Sequence, residues 1–570
     1  MEWLRLRLSG TDAVLLMALL GLACGAFTGG VILGFRWLIE NGQGALLGGG
    51  GEDFGTLAAH WRLLLPVVGG LVLGLLLTWV GESGRSTGVA YVMERLHYFQ
   101  ARLPLRNAVV QFFGAAGAII SGFSVGREGP GVHLGAASGS QLGQWLGLPN
   151  NALRTLVACG VAAAIAASFN TPLAGVVFAM EVVMMEYTLA GFLPVMLAAV
   201  TATVLTQIIY GSNPAFSVPP TYLESFWELP YLLMMGLIIG GLAAAFIRSL
   251  DWFSTRPAKL PLWVRTTLAG LLVGVLAMAV PEVMGVGYDT VGRILLGELG
   301  LVLMIALVVA KLIASTAAVG MGIPGGLIGP TVVIGAAAGG AIGHLGQLIM
   351  PGMASPPAFY AMVGLGAMMG ATLRAPLAAL TAMLELTYNP AIIMPGMLTI
   401  AAASLCASEV FGKDSVFLHQ LKLKGRHVRN RAVLQSLSRL GIARIMDRSI
   451  SVTGDHVNRE ELTEILSSDP RWLLIREPPN GEPLALLAAA DLLQYLELEP
   501  EADEINLMAI PARRLEPAAI ELQASLREAL DVFQESDAEA LYVVHAPAPG
   551  FQRYYGVVTR QDLENQYYAA

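Results

Sequence analysis

Residues 129–143 read GPGVHLGAASGSQLG, and residues 329–343 repeat the pattern as GPTVVIGAAAGGAIG. A second pair follows in the same order, with FNTPLAGVVFAME at 169–181 and LRAPLAALTAMLE at 373–385. Proline recurs at matched positions in both pairs, which makes chance likeness between Gly- and Ala-rich helices the weaker explanation. The sequence therefore predicts two repeated halves with helices broken by glycine and proline, whose ends meet at a shared binding site.

The composition places this chain in a lipid bilayer. Of its 570 residues, 55% are hydrophobic and only 13% are charged, and the mean hydropathy is +0.63. Charges are almost absent from long stretches such as 301–346, which contains only Lys311. We therefore predict an all-α polytopic membrane protein with a pore domain at 12–415. Its halves are expected at about 12–210 and 228–415, the second inverted relative to the first.

Acidic residues inside the predicted spans are few, and each would be costly there without a role or a partner. The three that stand out are Glu128, Glu181 and Glu385. A transporter of cations or larger organic solutes would normally converge several carboxylates on its site, so this pattern disfavours that class. The spans contain no nucleophile and base pair and no metal-ligand spacing, so we expect neither an enzyme nor a metal site. His133 is expected to pack in the core.

The strongest local motif is GREGP at 126–130, which is followed at once by an apolar helical pattern. It places the carboxylate of Glu128 beside the start of a broken helix. Exposed N–H groups and the positive end of the helix dipole suit an anion there, whether a free ion or this carboxylate. A side chain that competes with an anion for one site is a gate. The alternative is a salt bridge to Arg127 or a helix cap.

A second glycine-rich stretch, GIPGGLIGP at 322–330, is predicted to break and restart a helix. The N–H groups of Leu327 and Ile328 would then face an anion without any positive side chain. Because backbone dipoles bind an anion weakly, they allow it to leave again, whereas a lysine would hold it. Close packing between helices is the other explanation of these glycines.

The motifs GREGP, GIPGGLIGP, FNTPLAG and LRAPLAA resemble, in this order and spacing, the pore signatures of the CLC chloride channels and transporters. The resemblance covers most of residues 12–420. It implies a chloride pore with Glu128 as its external gate, in a homodimer with one pore per subunit. The surroundings of the ion would come from both glycine-rich motifs, namely from Gly126, Arg127, Gly129, Leu327 and Ile328.

Two positions depart from the family pattern. STGVA at 86–90 is the best counterpart of the family's GSGIP, so Thr87 stands where the family has an ion-contacting serine. Phe417 stands where the family has a pore tyrosine, and it keeps the ring without the hydroxyl. The resemblance assigns both residues to the anion site. The alternatives are a loop hydroxyl that caps a helix and a ring that packs at the membrane exit.

A third departure concerns protons. Exchangers of the family commonly carry a proton-accepting glutamate one position after the residue matched by Glu181, and this chain has Val182 there. Because valine accepts no proton, we predict a channel-like or weakly proton-coupled protein. A coupled chloride/proton antiporter and a transporter of another anion such as nitrate are the alternatives. Glu181 and Glu385 occupy equivalent positions in the two halves, which predicts paired scaffold residues at helix ends.

Near residue 412 the apolar pattern gives way to a basic stretch. We expect a basic linker at 416–440 and a soluble α/β region beyond it, with modules at 441–498 and 505–568. Each module ends in an apolar strand followed by a helix that begins near an aspartate. This arrangement resembles a pair of CBS domains, and the second module fits better than the first.

The resemblance to CBS domains implies an adenine nucleotide near Thr559 and Asp562. We expect no other cofactor and no nucleic-acid partner. Arg5 and Arg7, in the N-terminal segment 1–11, carry the same positive charge as the linker, so both ends are expected in the cytoplasm. The protein would then be a multi-pass protein of the plasma membrane or the inner membrane of a cell.

Overall fold

The structure divides into two compact units, Met1–Val428 and Arg429–Ala570, and the boundary falls within the predicted linker. The predicted N-terminal segment lies outside the described residues. The computed structural model describes residues 14–48, 53–148, 150–187, 189–216, 218, 221–426, 442–477, 481–498, 504–522, 524, 526–548 and 551–569.

Helices dominate the first unit. They are α1 (Val14–Leu47), α2 (Ala59–Val80), α3 (Val89–Tyr98), α4 (Leu105–Ile120), α5 (Glu128–Trp145), α6 (Asn150–Phe169), α7 (Pro172–Phe178), α8 (Leu189–Tyr210), α9 (Leu229–Thr255), α10 (Leu262–Ala279), α11 (Tyr288–Leu295), α12 (Leu301–Gly320), α13 (Ile328–Ile349), α14 (Pro357–Leu373), α15 (Pro376–Thr387), α16 (Ile393–Leu405) and α17 (Val416–Leu423). Over the described residues, nine helical stretches have the length and hydropathy to cross a membrane. The predicted all-α polytopic fold is confirmed.

Equivalent helices of the two halves are started by the same kinds of residue. Proline is the first residue of α7 (Pro172) and of α15 (Pro376), a position where its missing N–H is not needed. A glycine precedes α3 and α11, and the φ angles are +87° at Gly88 and +89° at Gly287. Such values favour glycine, because other residues are strained there. The residues that begin these helices therefore recur at matched positions in the two halves.

The two halves are joined by an antiparallel pair of equivalent glycines. Gly126 donates its N–H to the carbonyl of Gly326 at 2.8 Å, and Gly326 donates its N–H to the carbonyl of Gly126 at 2.8 Å. Reciprocal bonds between equivalent, antiparallel segments are what a local two-fold axis produces, as in an inverted repeat. The predicted two-fold repeat is therefore present in the fold.

Glycines also set the distance between neighbouring helices in both halves. A Cβ at Gly135 would lie 2.2 Å from the carbonyl oxygen of Gly160, and a Cβ at Gly335 would lie 2.4 Å from that of Gly364. No side chain fits at these distances, so α5 packs directly on α6 and α13 packs directly on α14. This close packing fixes α5 and α13, which begin in GREGP and GIPGGLIGP.

The second unit is an α/β region, as predicted. Its sheets have the strand orders β1-β3-β4-β6, β2-β5 and β7-β8-β9, and only the pairs β1 with β3 and β7 with β8 are parallel among the described strands. The elements are β1 (Ile450–Gly454), β2 (His456–Asn458), α18 (Arg459–Ser467), β3 (Trp472–Arg476), β4 (Pro483–Ala488), α19 (Ala489–Leu498), β5 (Glu504–Asn506), β6 (Arg514–Leu515), β7 (Pro517–Glu521), α20 (Leu526–Glu535), β8 (Ala540–Ala548), β9 (Phe551–Thr559) and α21 (Arg560–Ala569).

The two predicted modules exchange segments across their boundaries. Most of β5 and all of β6 fall within the bounds of the predicted second module, yet these strands pair with β2 and β4 of the first. Ile442, expected in the first module, packs instead with Ile520 and Leu541 of the second. The bounds at 441–498 and 505–568 therefore cut through shared structure, because strand pairing across a boundary leaves no trace in the apolar pattern.

Candidate functional site

The carboxylate of Glu128 lies where the two halves meet. Glu128 is the first residue of α5 and has no exposure to solvent. Its Oε2 accepts a hydrogen bond at 3.0 Å from the N–H of Gly329, in the first turn of α13. Its Oε1 accepts a hydrogen bond from the hydroxyl of Tyr288. The carboxylate therefore lies at the starts of α5 and α13, where first-turn N–H groups and helix dipoles favour negative charge.

Space for this carboxylate is created by glycines. A Cβ at Gly126 would lie 2.3 Å from Oε2 of Glu128, and a Cβ at Gly329 would lie 2.9 Å from the same atom. A Cβ at Gly129 would lie 2.7 Å from the Cα of Gly326 in the other half. The glycines of both motifs therefore permit the close approach of the two backbones and of the carboxylate.

Gly126 and Arg127 differ in what they offer an anion. The N–H of Gly126 donates to the carbonyl of Gly326 in the other half, and contact of Gly126 with an anion stays a prediction. Arg127 directly precedes α5, and its Nη2 donates to the carbonyl of Ser168 at 3.4 Å. Its guanidinium carbon lies 5.1 Å from the centre of the Tyr288 ring. The positive charge of Arg127 therefore lies beside the tyrosine that contacts Glu128.

Leu327 and Ile328 form the start of α13, as predicted. Leu327 precedes the helix and Ile328 is its first residue, and both side chains are buried. The first N–H groups of a helix lack partners within the helix. The carboxylate of Glu128 accepts a hydrogen bond from one of these groups, the N–H of Gly329. This end of α13 therefore presents the N–H of Gly329 to the carboxylate, and contact of the Leu327 and Ile328 N–H groups with an anion stays a prediction.

Tyr288 was not predicted from the sequence. It is the first residue of α11, and its ring packs against Phe169 and Phe216 with centre-to-centre distances of 5.6 and 5.8 Å. These contacts hold the ring so that its hydroxyl reaches the Glu128 carboxylate. The only available signal was the correspondence of GVGYDTV at 285–291 with STGVAYV at 86–92. One glycine and one valine coincide in that pairing, and neither indicates a hydroxyl contact.

The loop before α11 is held by a buried lysine. Lys311, on α12, donates from Nζ to the carbonyl of Val283 at 3.0 Å and to that of Gly285 at 2.9 Å. In the first half, Gln111 occupies the equivalent position and accepts the N–H of Gly88 at 2.9 Å. Both halves therefore use a buried polar side chain to fix the loop before a short helix. In the second half, Tyr288 directly follows that loop as the first residue of α11.

A polar cavity of about 560 Å³ lies beside Arg127 and Tyr288. It is lined in part by Arg127, Tyr288, Arg36, Glu40 and Tyr210. Arg36 forms an ion pair with Glu40 at 2.5 Å and lies 3.6 Å from the centre of the Tyr210 ring. The hydroxyl of Tyr210 donates to Glu40 at 2.9 Å. The cavity is therefore lined by two tyrosines in similar surroundings. Tyr288 faces Arg127 and donates to Glu128, and Tyr210 faces Arg36 and donates to Glu40.

Thr87 and Phe417 are carried by neighbouring elements. Thr87 precedes Gly88, whose N–H donates at 3.3 Å to Nδ1 of His133 on α5, and His133 is buried as predicted. Phe417 is buried on α17, which packs against α3. The beginning of the predicted linker at 416–440 is therefore a helix of the first unit, because its apolar face is buried there. Contact of either residue with an anion stays a prediction.

Glu181 and Glu385 have the scaffold role that their matched positions predict. Glu181 accepts two N–H groups from the first turn of α15, at 3.3 and 2.7 Å. Glu385 accepts two from the first turn of α7, at 3.0 and 2.7 Å. The donors are Leu377 and Ala378 in α15, and Leu173 and Ala174 in α7.

Val182 lies in a π-helical segment, Ala179–Met184, which continues α7. Its side chain is buried. The carboxylate of Glu181 beside it is bonded to α15, and that of Glu186 forms an ion pair with Arg154 at 3.5 Å. The carboxylates closest to Val182 along the chain therefore already have partners.

Thr559 and Asp562 form a cap at the start of α21. Oδ2 of Asp562 accepts the N–H of Thr559 at 3.0 Å and its hydroxyl at 2.6 Å. The N–H of Asp562 donates to the same hydroxyl oxygen at 3.2 Å. One carboxylate oxygen is therefore engaged in capping the helix. A role of this pair in nucleotide binding stays a prediction.

Residues 69–408, which include the starts of α5 and α13, match the family model Voltage_CLC, voltage gated chloride channel. This chain belongs to the voltage gated chloride channel family. The match spans more than half of the 570 residues and contains GREGP, GIPGGLIGP and both scaffold glutamates. Membership of the CLC family, expected from those motifs, is confirmed.

Curated relatives within the CLC family carry different functional names. A protein of Ralstonia nicotianae, provisionally named a ClcB-like chloride channel protein, is 34% identical over 383 residues, which cover 65% of this chain and 89% of the relative. The H(+)/Cl(-) exchange transporter ClcA of Vibrio vulnificus is 31% identical over 326 residues, which cover 55% of this chain and 69% of the relative. This chain is therefore similar both to a protein named as a channel and to one named as an exchanger.

Solved CLC structures share the fold. A slow cyanobacterial Cl-/H+ antiporter matches with a TM-score of 0.63 and 23% identity, over 72% of this chain and 97% of that protein. A CLC-type fluoride/proton antiporter matches with a TM-score of 0.61 and 22% identity, over 71% and 97%. A eukaryotic CLC transporter matches with a TM-score of 0.59 and 21% identity, over 98% of each chain. At these identities the likeness concerns the fold alone.

Proposed function

We propose that this protein carries chloride across a membrane through a pore that Glu128 closes. The observation that supports this most directly is the hydrogen bond from the N–H of Gly329 to the Glu128 carboxylate. A carboxylate and a chloride ion carry the same charge, so donors that hold the first suit the second once the side chain has moved away. Protonation of Glu128 removes the charge that these donors hold, and flux is therefore expected to rise as the pH falls.

The ion path is proposed to continue past Leu327 and Ile328 toward Thr87 and Phe417. Backbone N–H groups at the start of α13 attract an anion without a full positive charge, which allows weak binding and rapid release. The hydroxyl of Thr87 would supply a further donor. Phe417 has none, so we expect weaker binding of the central ion than a tyrosine would give.

We further propose that transport is channel-like or only weakly coupled to protons. Coupled exchange needs protons to reach Glu128 from the cytoplasmic side. Val182 stands where exchangers of the family commonly have a proton-accepting glutamate, and its buried apolar side chain resists both a proton and a hydrated path. Glu181 and Glu186 are poor substitutes, because one caps α15 and the other is paired with Arg154.

Two alternatives are kept for specific reasons. The H(+)/Cl(-) exchange transporter ClcA is among the similar proteins, so coupled chloride/proton exchange is the second candidate. Transport of another anion such as nitrate is the third, because Thr87 replaces the family's usual serine. Both alternatives retain Glu128 as the gate, and they differ in what moves with or instead of chloride.

The assembly and location are proposed from the family. CLC proteins are homodimers with one pore in each subunit, and we propose the same here, in the plasma membrane or inner membrane. The second unit, with Thr559 and Asp562, is proposed to lie in the cytoplasm as a CBS-like pair that binds an adenine nucleotide and regulates transport.

Purified full-length protein in liposomes tests these proposals. Chloride efflux would be recorded with an electrode while the pH outside the liposomes is followed. We expect protein-dependent chloride efflux with little proton movement against a gradient. Sustained proton uptake driven by chloride at a fixed stoichiometry, and abolished by Glu128→Gln, would establish coupled exchange instead. Efflux of nitrate without efflux of chloride would establish the third candidate.

A further inference from the structure

We propose that Tyr288 is a positioning residue for the gate, because its hydroxyl holds the Glu128 carboxylate in the closed position and thereby sets the pH at which the pore opens. This inference rests on the proposed role of Glu128 as the gate. It adds a second holding group that comes from a different element, since Gly329 belongs to α13 and Tyr288 to α11. The two oxygens of one carboxylate are thus held from two helices.

The position of the hydroxyl is determined by its surroundings. The ring of Tyr288 is packed between Phe169 and Phe216, and the guanidinium of Arg127 faces it at 5.1 Å. The loop before the tyrosine is bonded to the buried amino group of Lys311. A hydroxyl held in place loses little freedom when it donates, so the hydrogen bond favours the closed gate more than a mobile donor would.

The charge of the carboxylate gives this bond its pH dependence. A hydroxyl donor stabilises the ionised carboxylate of Glu128 more than the protonated acid, because hydrogen bonds to charged groups are the stronger ones. The N–H of Gly329 acts in the same direction. The charged groups around the pair are Arg127, directly before α5, Lys311 on α12, Asp289 beside Tyr288 on α11, and Arg36 and Glu40, which line the polar cavity. Removing the Tyr288 hydroxyl leaves all of these in place.

Tyr288→Phe is therefore the informative variant, because it keeps the ring and removes only the hydroxyl. The loss of one hydrogen bond to a charged group corresponds to a shift of about one pH unit. Since the ionised form loses stability, we expect the pH of half-maximal chloride flux to move upward by about one unit. The closed gate should then open at pH values where the unchanged protein is shut.

Tyr210→Phe is the matched control. Tyr210 lines the same cavity, faces Arg36 and donates its hydroxyl to Glu40. Its substitution removes the same atoms from a similar arrangement, but the carboxylate that loses a donor is not the gate. We expect Tyr210→Phe to keep the pH of half-maximal flux of the unchanged protein.

The experiment measures chloride efflux from liposomes as a function of pH for the full chain, both phenylalanine variants, Glu128→Gln and the double variant with Tyr288→Phe. The proposal predicts an upward shift for Tyr288→Phe alone and no further change when it is added to Glu128→Gln. It is overturned if Tyr288→Phe keeps the original pH profile while Glu128→Gln abolishes it. It is also overturned if Tyr288→Phe changes flux equally in both backgrounds. An unchanged pH profile in Glu128→Gln would instead remove the gate role itself.

Discussion

Glu181 and Glu385 cap each other's helices. Glu385, on α15, accepts two N–H groups from the start of α7, and Glu181, in the segment that continues α7, accepts two from the start of α15. Two acidic residues that are costly inside a membrane are thereby used to satisfy four helix-end donors. These four hydrogen bonds connect the two halves, which is the scaffold role predicted from the matched positions of the two glutamates.

Glu385→Ala is expected to destabilise the protein and to leave its pH response intact. Two first-turn N–H groups, those of Leu173 and Ala174, would lose their acceptor, and the loss at the buried Ala174 costs about 1–3 kcal/mol. Thermal unfolding in detergent checks the stability, and liposome flux checks the pH profile. Glu298→Ala is the control, because Glu298 is exposed and its pairing with Arg293 at 3.6 Å is of the surface kind. A loss of pH dependence in Glu385→Ala would contradict the scaffold role.

Glu128→Gln is expected to abolish the pH dependence of chloride flux. The neutral amide imitates a protonated gate that has left the site, so flux should be high at every pH. Chloride efflux from liposomes over a pH series measures this directly. If the variant had the flux and pH response of the unchanged protein, Glu128 would not be the gate.

Gly126→Ala is expected to displace the closed gate. The new Cβ would lie 2.3 Å from Oε2 of Glu128 and 2.9 Å from the N of Gly329, closer than atoms can approach. The side chain can move away more easily than the backbone, so flux should persist at pH values that close the unchanged pore. Gly292→Ala is the control, because nothing lies within 4 Å of the Cβ position there. A folded Gly126→Ala protein with the normal pH profile would show that the carboxylate does not rest at this place.

Truncation after residue 430 is expected to leave chloride flux detectable while altering its regulation or the stability of the dimer. The gate and its holding groups all lie in the first unit, whose described part ends at Arg426. Flux and size-exclusion elution of the shortened protein provide the measurement. Complete loss of flux from a shortened protein that still elutes as a folded species would show that the pore depends on the second unit.

Adenine nucleotide is expected to bind near Thr559 and Asp562 and to bind less well to Asp562→Ala. One oxygen of the carboxylate caps α21, and the second is the one proposed to meet a ribose hydroxyl. Calorimetry of the full chain with ATP, ADP and AMP at millimolar concentration measures the binding. No heat of binding with any of the three would end the proposal. The variant must keep its unfolding temperature for the comparison to be valid.

The features that could be predicted from the sequence depend on residues that lie close together in the chain or that recur at matched positions in both halves. The repeat, the membrane fold and the place of Glu128 at a helix start follow from glycines, prolines and one carboxylate within a few residues. The roles of Glu181 and Glu385 followed because their positions match between halves. Each of these predictions depends on residues whose spacing is visible in the chain.

The features that could not be predicted depend on contacts between distant segments. Tyr288 and Glu128 are 160 positions apart, and no periodicity links a hydroxyl to a carboxylate over that distance. The hydrogen bond from the N–H of Gly126 to the carbonyl of Gly326 also joins segments 200 positions apart, and the local sequence of neither segment indicates it. The module bounds of the second unit were displaced for the same reason, since β5 and β6 pair with strands that lie earlier in the chain.

Gly126 and Gly326 exchange reciprocal hydrogen bonds, so the two halves of one polypeptide pair in the way that two identical subunits of a dimer do. A half-length chain would contain only one of these two glycines, so it would lack the other strand of the bridge. A second copy of the same chain would provide that strand in the same geometry. Duplication and fusion of a half-length gene would therefore yield this architecture without any new contact. Once the copies share a chain, they are free to diverge on an unchanged frame. The first half has Glu128 where the second has Ile328, so only one of the two equivalent helix starts carries a carboxylate.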